Sequence, residues 1–172
     1  METIAVYWEP IIKTYGLFVK TDLSLVRISF PIDQTTFWGS RIQESDQAEG
    51  GFIMVVGHVF DGNRMQLSLL FENSKSGVEK KLPETIIEKQ PSTTITVDTP
   101  VELIYFQGPH FGDRYGIADA AFTPFVENKV TILASGCASA SIYIVVPEHM
   151  ARLAVKILSE KFIVPHVHKD HQ

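Results

Sequence analysis

Two stretches of this chain carry the same order of apolar runs and breaks: strand, helix, strand, strand, helix. The first strands of the two stretches begin at Leu23 and Val101, 78 residues apart, and the second at Phe52 and Val130, again 78 apart. The third begin at Leu67 and Ser141, offset by 74, which a small difference in loop length accommodates. Identity between the halves is negligible, so the repeat lies in pattern rather than in residues. Such a pattern predicts an α+β fold of two ferredoxin-like βαββαβ modules, each an antiparallel sheet with helices on one face. The expected modules are residues 1–92 and 93–172.

Local signals give the elements. The run from Leu17 to Phe30 alternates in its latter part, through Leu23, Leu25 and Val26-Arg27-Ile28, and reads as a half-buried strand closed by Pro31. Asp33 to Thr36 offer N-caps for a short helix over Phe37 to Gln43. Asp61-Gly62-Asn63 between two apolar runs is a hairpin signal, because glycine supplies the positive φ of a tight turn. Lys75 to Lys89 reads as a surface helix kinked at Pro83, and Thr93 to Val97 as the fourth strand of the first module.

In the second half, strands are expected at Val101 to Phe106, Val130 to Ala134 and Ser141 to Val146, with a turn at Gly136-Cys137-Ala138. Helices are expected from Ile117 to Val126, with Pro124 near the end, and from Met150 to Phe162, whose apolar residues recur at helical spacing. Pro147 suits the first turn of that last helix. The fourth strand of the second module has two sources. It is either the weak Ile163-Val164 pair or the N-terminal run from Ile4 to Trp8.

Composition excludes several classes of function. Lys and Arg number 15 against 20 Asp and Glu, a net charge of −5, with no basic patch among the aromatics, so nucleic acid is not an expected partner. The hydrophobic share of 45% suffices for a core, which rules out a disordered chain. Cys137 stands alone and cannot form an internal disulfide. No apolar run approaches the roughly 18 residues of a membrane span, and Glu2 and Glu9 fit no secretory leader. A soluble cytoplasmic protein with no membrane partner is therefore expected.

From about Ile95 to Phe162 the sequence resembles an ACT domain, specifically the C-terminal regulatory region of aspartate kinases. The resemblance rests on Thr94-Ile95-Thr96-Val97 leading into Val101 to Phe106, then on the turn Gly112-Asp113-Arg114-Tyr115-Gly116-Ile117-Ala118, and on the middle strands and closing helix. The first half shares only topology and spacing, and its corresponding turn is Phe30-Pro31-Ile32-Asp33-Gln34-Thr35. The resemblance implies a homodimer and a small ligand, commonly an amino acid, held between modules. Carried over by position, the ligand residues are Gly112, Asp113, Arg114, Tyr115, Gly116, Ile117 and Ala118, with Asn128, Lys129, Val130 and Thr131 at the start of the next strand. Lys129 stands where the family often has glycine, Thr131 where aspartate kinases have asparagine, and Tyr115 where proline is usual. Asn128 tolerates the left-handed backbone of a helix exit. Independently of the family, a glycine at a helix start leaves N–H groups and the positive dipole end open to a carboxylate, to which Arg114 can add a charge-assisted bond.

Other chemistry-bearing residues carry less. His166, His168 and His171 lie in a short tail, His58 lies within an apolar run, and His110 flanks the glycine loop. No phosphate-loop, dinucleotide or nucleophile-elbow motif is present. No cofactor, metal or catalytic residue is expected. Three functions remain open: a small-molecule sensor without catalysis, a dimerisation or docking module for an enzyme, and an enzyme using His110 with Asp113.

Overall fold

The computed structural model describes residues 11–49, 51–73, 92–112 and 114–164. The chain divides into two compact units: a middle unit, Thr21–Val101, and a terminal unit built from Met1–Lys20 and Glu102–Gln172. The expected boundary at 92/93 therefore falls within the middle unit. Two long strands, β2 (Gly16–Pro31) and β5 (Thr94–Gln107), each contribute residues to both units.

In the middle unit the strand order is β3 (Met54–Phe60), β4 (Arg64–Glu72), β2, β5. β3 and β4 form the expected hairpin, closed by the pair Phe60 and Arg64, with Asp61 at φ 59° and Gly62 at φ 65° making the reversal. Alternate residues of β2 and β4 (Val26, Ile28 and Phe30; Leu67, Leu69 and Phe71) face one way and form a core with Trp38. Trp38 lies on α1 (Thr35–Glu49), which follows a single 3-10 turn, Ile32–Gln34. It stacks on Phe30 at 5.5 Å and meets Phe37 edge-on. Burying such rings supplies about 1.5–3 kcal/mol each. The helix is longer than the expected Phe37 to Gln43, since apolar spacing marks only its packed beginning.

Thr93 to Val97 and Val101 to Phe106 are one strand, not two. Asp98 and Thr99 are tied to β2, Asp98 by the Arg27 guanidinium at 2.6 Å and Thr99 by the buried Ser24 hydroxyl at 2.8 Å, so β5 runs on through Pro100. The surface helix expected over Lys75 to Lys89 lies outside the described residues, as do Ile4 to Trp8 and the three tail histidines.

In the terminal unit the order is β2, β5, β7 (Ser141–Pro147), β6 (Ala134–Ala138). Ile104, Phe106, Ile142, Ile144 and Val146 point to one face. There they meet Ile117, Ala121 and Phe125 of α2 (Ile117–Glu127), and Ala154, Ile157 and Leu158 of α3 (Ala151–Ser159). The buried Glu102 carboxylate accepts the Ala151 N–H at 2.6 Å and caps α3, where no Met150 side chain does so.

Several expectations change here. Val130 is buried and the strand begins only at Ala134, pairing Ala134 with Val145 through Ala138 with Ser141; Gly136-Cys137-Ala138 is thus strand, and the reversal sits at Ser139, φ 54°. Phe162 ends the apolar helical pattern but lies in β8 (Phe162–Ile163), because α3 stops at Ser159. Pro147 closes β7 instead of opening the helix. Ile163 of the weak Ile163-Val164 pair lies in β8, but β8 pairs in parallel with β1 (Ile12–Lys13) in a separate two-stranded sheet, while β2 lies beside β5 in the six-stranded one; Ile4 to Trp8, the other source, lies outside the described residues.

Candidate functional site

The connection from β5 to α2 begins with Gly108, where a Cβ would overlap the Phe111 ring and the Lys13 carbonyl. That close approach seats Phe111, which packs against Phe106 at 6.1 Å and Phe162 at 5.9 Å. The connection ends at Gly116, φ 83°, in the left-handed region that favours glycine. Helical bonding starts with the Ala120 N–H donating to the Gly116 carbonyl, so the N–H groups of residues 117–119 precede the first such bond. Gly116 has no side chain with which to cap them. Arg114 is oriented by donating from one terminal nitrogen to the Ile11 carbonyl at 3.1 Å.

These features border a cavity of about 300 Å³. One wall is Phe111, Arg114, Tyr115, Gly116, Ile117 and Ala118; the other is Cys137, Ser139, Ser141 and Ile142 from the β6–β7 hairpin. Tyr115 is 79% exposed at the mouth, whereas Phe111 and Ile142 are buried and form the apolar floor. Ser141 is oriented by donating from its hydroxyl to the Gln107 side-chain oxygen at 3.4 Å. Cys137 is a free, exposed thiol.

Of the ligand residues expected from the sequence, the cavity gathers Arg114, Tyr115, Gly116, Ile117 and Ala118. Gly112 is exposed in the connection but does not line the cavity, and Asp113 lies outside the described residues. Asn128, Val130 and Thr131 do not line it either. Asn128 donates from its side-chain amide to the Pro124 carbonyl at 2.9 Å, Val130 is buried in the core, and Thr131 is exposed. The left-handed residue at the helix exit is Lys129, φ 55°, at the position where the family often has glycine, while Asn128 sits at φ −91°. α2 runs through Pro124, which is buried inside it.

The hairpin wall escaped sequence reading. Ala134 to Ala138 have low strand propensity, and nothing local shows that Cys137 and Ile142, cross-strand partners in the structure, stand over the start of α2. His110 is exposed in the turn at φ 61° and His58 is exposed on β3 beside Phe60. Among the described residues no group of His, Cys, Asp and Glu could hold a metal ion, and no helix is long and apolar enough to cross a membrane.

No protein-family model and no curated protein matches the sequence. Solved structures do match the fold. The ligand-free regulatory subunit of aspartate kinase from Thermus thermophilus superposes with a TM-score of 0.69 at 11% identity, over 86% of this chain and 97% of that one. The regulatory subunit of aspartate kinase from Thermus flavus gives 0.71 at 12% identity over the same shares. Aspartate kinase from Synechocystis gives 0.71 at 13% identity over 94% of this chain and 29% of that one. The chain thus has the ferredoxin-like, ACT-like fold of aspartate kinase regulatory regions, as the sequence led us to expect.

Proposed function

We propose that this protein is a regulatory module that binds a small molecule, an amino acid or a close chemical relative, and performs no catalysis. The observation that carries the reading is the cavity of about 300 Å³ at the amino end of α2. Its size lies at the lower end of small-molecule sites. The helix start and Arg114 suit a carboxylate, and the apolar floor suits a short side chain. The structural neighbours, regulatory subunits of aspartate kinase, support the regulatory part of the reading. The same likeness supports a homodimer in the cytoplasm, for which sedimentation equilibrium at micromolar concentration predicts twice the chain mass; a monomer with and without ligand would remove that part.

The reading is tested by a thermal-shift panel of the twenty amino acids at millimolar concentration. A ligand present at 100 times its Kd adds about 2.7 kcal/mol of stability, a rise of several degrees. A hit is expected to vanish in Ala118→Trp, which fills the cavity from an exposed helix position. A flat panel would overturn the sensor reading in favour of a docking or dimerisation module.

A further inference from the structure

We infer that residues 11–15 form a latch on the candidate site, with Thr14 as its positioning residue, so that docking of this segment and occupancy of the cavity stabilise one another. This inference rests on the proposed binding function and adds a point of control to it.

The segment alternates: Ile12 and Thr14 are buried, whereas Ile11, Lys13 and Tyr15 are exposed. Ile12 joins the core cluster that contains Phe106, Phe111 and Phe162. On one side the backbone meets β8, through the two-residue parallel pairing and the Thr14 N–H, which donates to the Ile163 carbonyl at 3.0 Å. On the other side it meets the connection that builds the site. The Gln107 carbonyl, the last of β5, accepts twice, from the Tyr15 N–H at 2.9 Å and from the Thr14 hydroxyl at 2.7 Å. Gly108 follows, and comes so close to the Lys13 carbonyl that a Cβ would overlap it. Further on, Arg114 donates to the Ile11 carbonyl at 3.1 Å. One short segment, 93 residues before Gln107 and 103 before Arg114, therefore contacts the connection at its beginning and near its end.

That geometry couples the two. Phe111 and Arg114 border the cavity, and both belong to the connection that the segment holds. A strand of two residues does not stand alone in water, so the segment keeps its place only while the connection is closed against it. The Thr14 hydroxyl lies out of water, and opening of the connection strips it of its acceptor. A ligand that needs the closed connection then stabilises the docked segment by the same factor by which the docked segment favours the ligand.

Amide hydrogen exchange of the full chain, resolved residue by residue, tests this. The Thr14 and Tyr15 amides report the latch, and those of Gly108 and Ala120 report the connection and the start of α2. The Ala154 amide, inside α3, reports general stability of the unit. Thr14→Val keeps the shape and loses the hydroxyl, and is expected to speed exchange about tenfold at Tyr15, Gly108 and Ala120 while Ala154 stays within about twofold. Thr14→Ser is expected to restore the original rates. Gly108→Ala, which disturbs the contact from the opposite side, is expected to speed Thr14 and Tyr15, and serves should Thr14→Val not fold. A pool of the twenty amino acids at millimolar concentration is expected to slow Tyr15 together with Ala120. Acceleration confined to the latch in Thr14→Val, or to the connection in Gly108→Ala, overturns the inference, as does acceleration shared equally by Ala154. A pool that slows Ala120 and leaves Thr14 and Tyr15 unchanged overturns the latch while leaving the binding function intact. A pool that changes no amide overturns the binding function and the latch with it.

Discussion

The two units solve the same step, leaving a strand to enter a helix, in opposite ways. In the middle unit, β2 ends at Pro31, φ −60°, and one 3-10 turn delivers the chain into α1. The Thr35 N–H and hydroxyl both donate to the Ile32 carbonyl, and Asp33 puts a carboxylate in the first turn. That turn already holds its own anion. In the terminal unit, residues 108–116 separate β5 from α2, the last of them is a left-handed glycine, and a guanidinium stands beside open space. Shared topology does not give shared chemistry. The difference lies in the length of the connection and the sign of charge at the helix start.

The largest effect that sharpens this contrast is loss of packing. Trp38→Ala removes a fully buried ring from the middle unit and is expected to cost about 3–5 kcal/mol by chemical denaturation. In the folded fraction it should leave ligand affinity unchanged, whereas Phe111→Ala should abolish binding. A Trp38→Ala protein that is folded yet blind to ligand would break the assignment of the site to one unit. The Trp38 indole N–H is buried without a hydrogen-bond partner, so Trp38→Phe should cost clearly less than the alanine change.

Next in size is the cap of α3. Glu102→Ala removes a carboxylate accepting a buried N–H and is expected to cost about 2–3 kcal/mol, read from the urea midpoint at unchanged slope. A loss below about 0.5 kcal/mol would show that α3 is held by packing alone.

Two glycines then make the comparison backbone against backbone. Neither Gly116 nor Gly39 has an atom outside its own segment within 4 Å of an added Cβ. Gly116 has φ 83° and Gly39 sits inside α1. Gly116→Ala is expected to destabilise by about 1–2 kcal/mol, because an L side chain is strained there. Gly39→Ala, the smallest effect, is expected to stabilise by about 0.5–1 kcal/mol through helix propensity and a less disordered unfolded chain. Equal signs for the two would contradict the distinction.

The sequence exposed those elements whose signals are local. Asp61-Gly62 marked its hairpin because positive φ needs such residues, and the alternation in β2 and the spacing in α2 follow from one buried face each. It hid what depends on distant partners. β5 reads as two strands because Pro100 lacks an N–H, yet Arg27 and Ser24 hold it from 71 and 75 residues away. The apolar run after Val130 outscored Ala134 to Ala138 as a strand, although the latter pairs with β7. Phe162 fits the helical period but closes the aromatic cluster with Phe106 and Phe111. Half of the site was legible through Gly116 and Arg114. The hairpin half was not, since cross-strand register decides which small side chains face the cavity.

The central claim is that a carboxylate ligand binds at the start of α2 and against the β6–β7 hairpin. An assigned amide nitrogen–proton spectrum of the full chain, recorded during titration with the tightest-binding probe, locates that ligand directly. The account predicts the largest shifts at residues 114–119 and 137–142, with residues 32–36 of the middle unit unmoved. Largest shifts at residues 32–36, or at 128–131 with the α2 start silent, would contradict it.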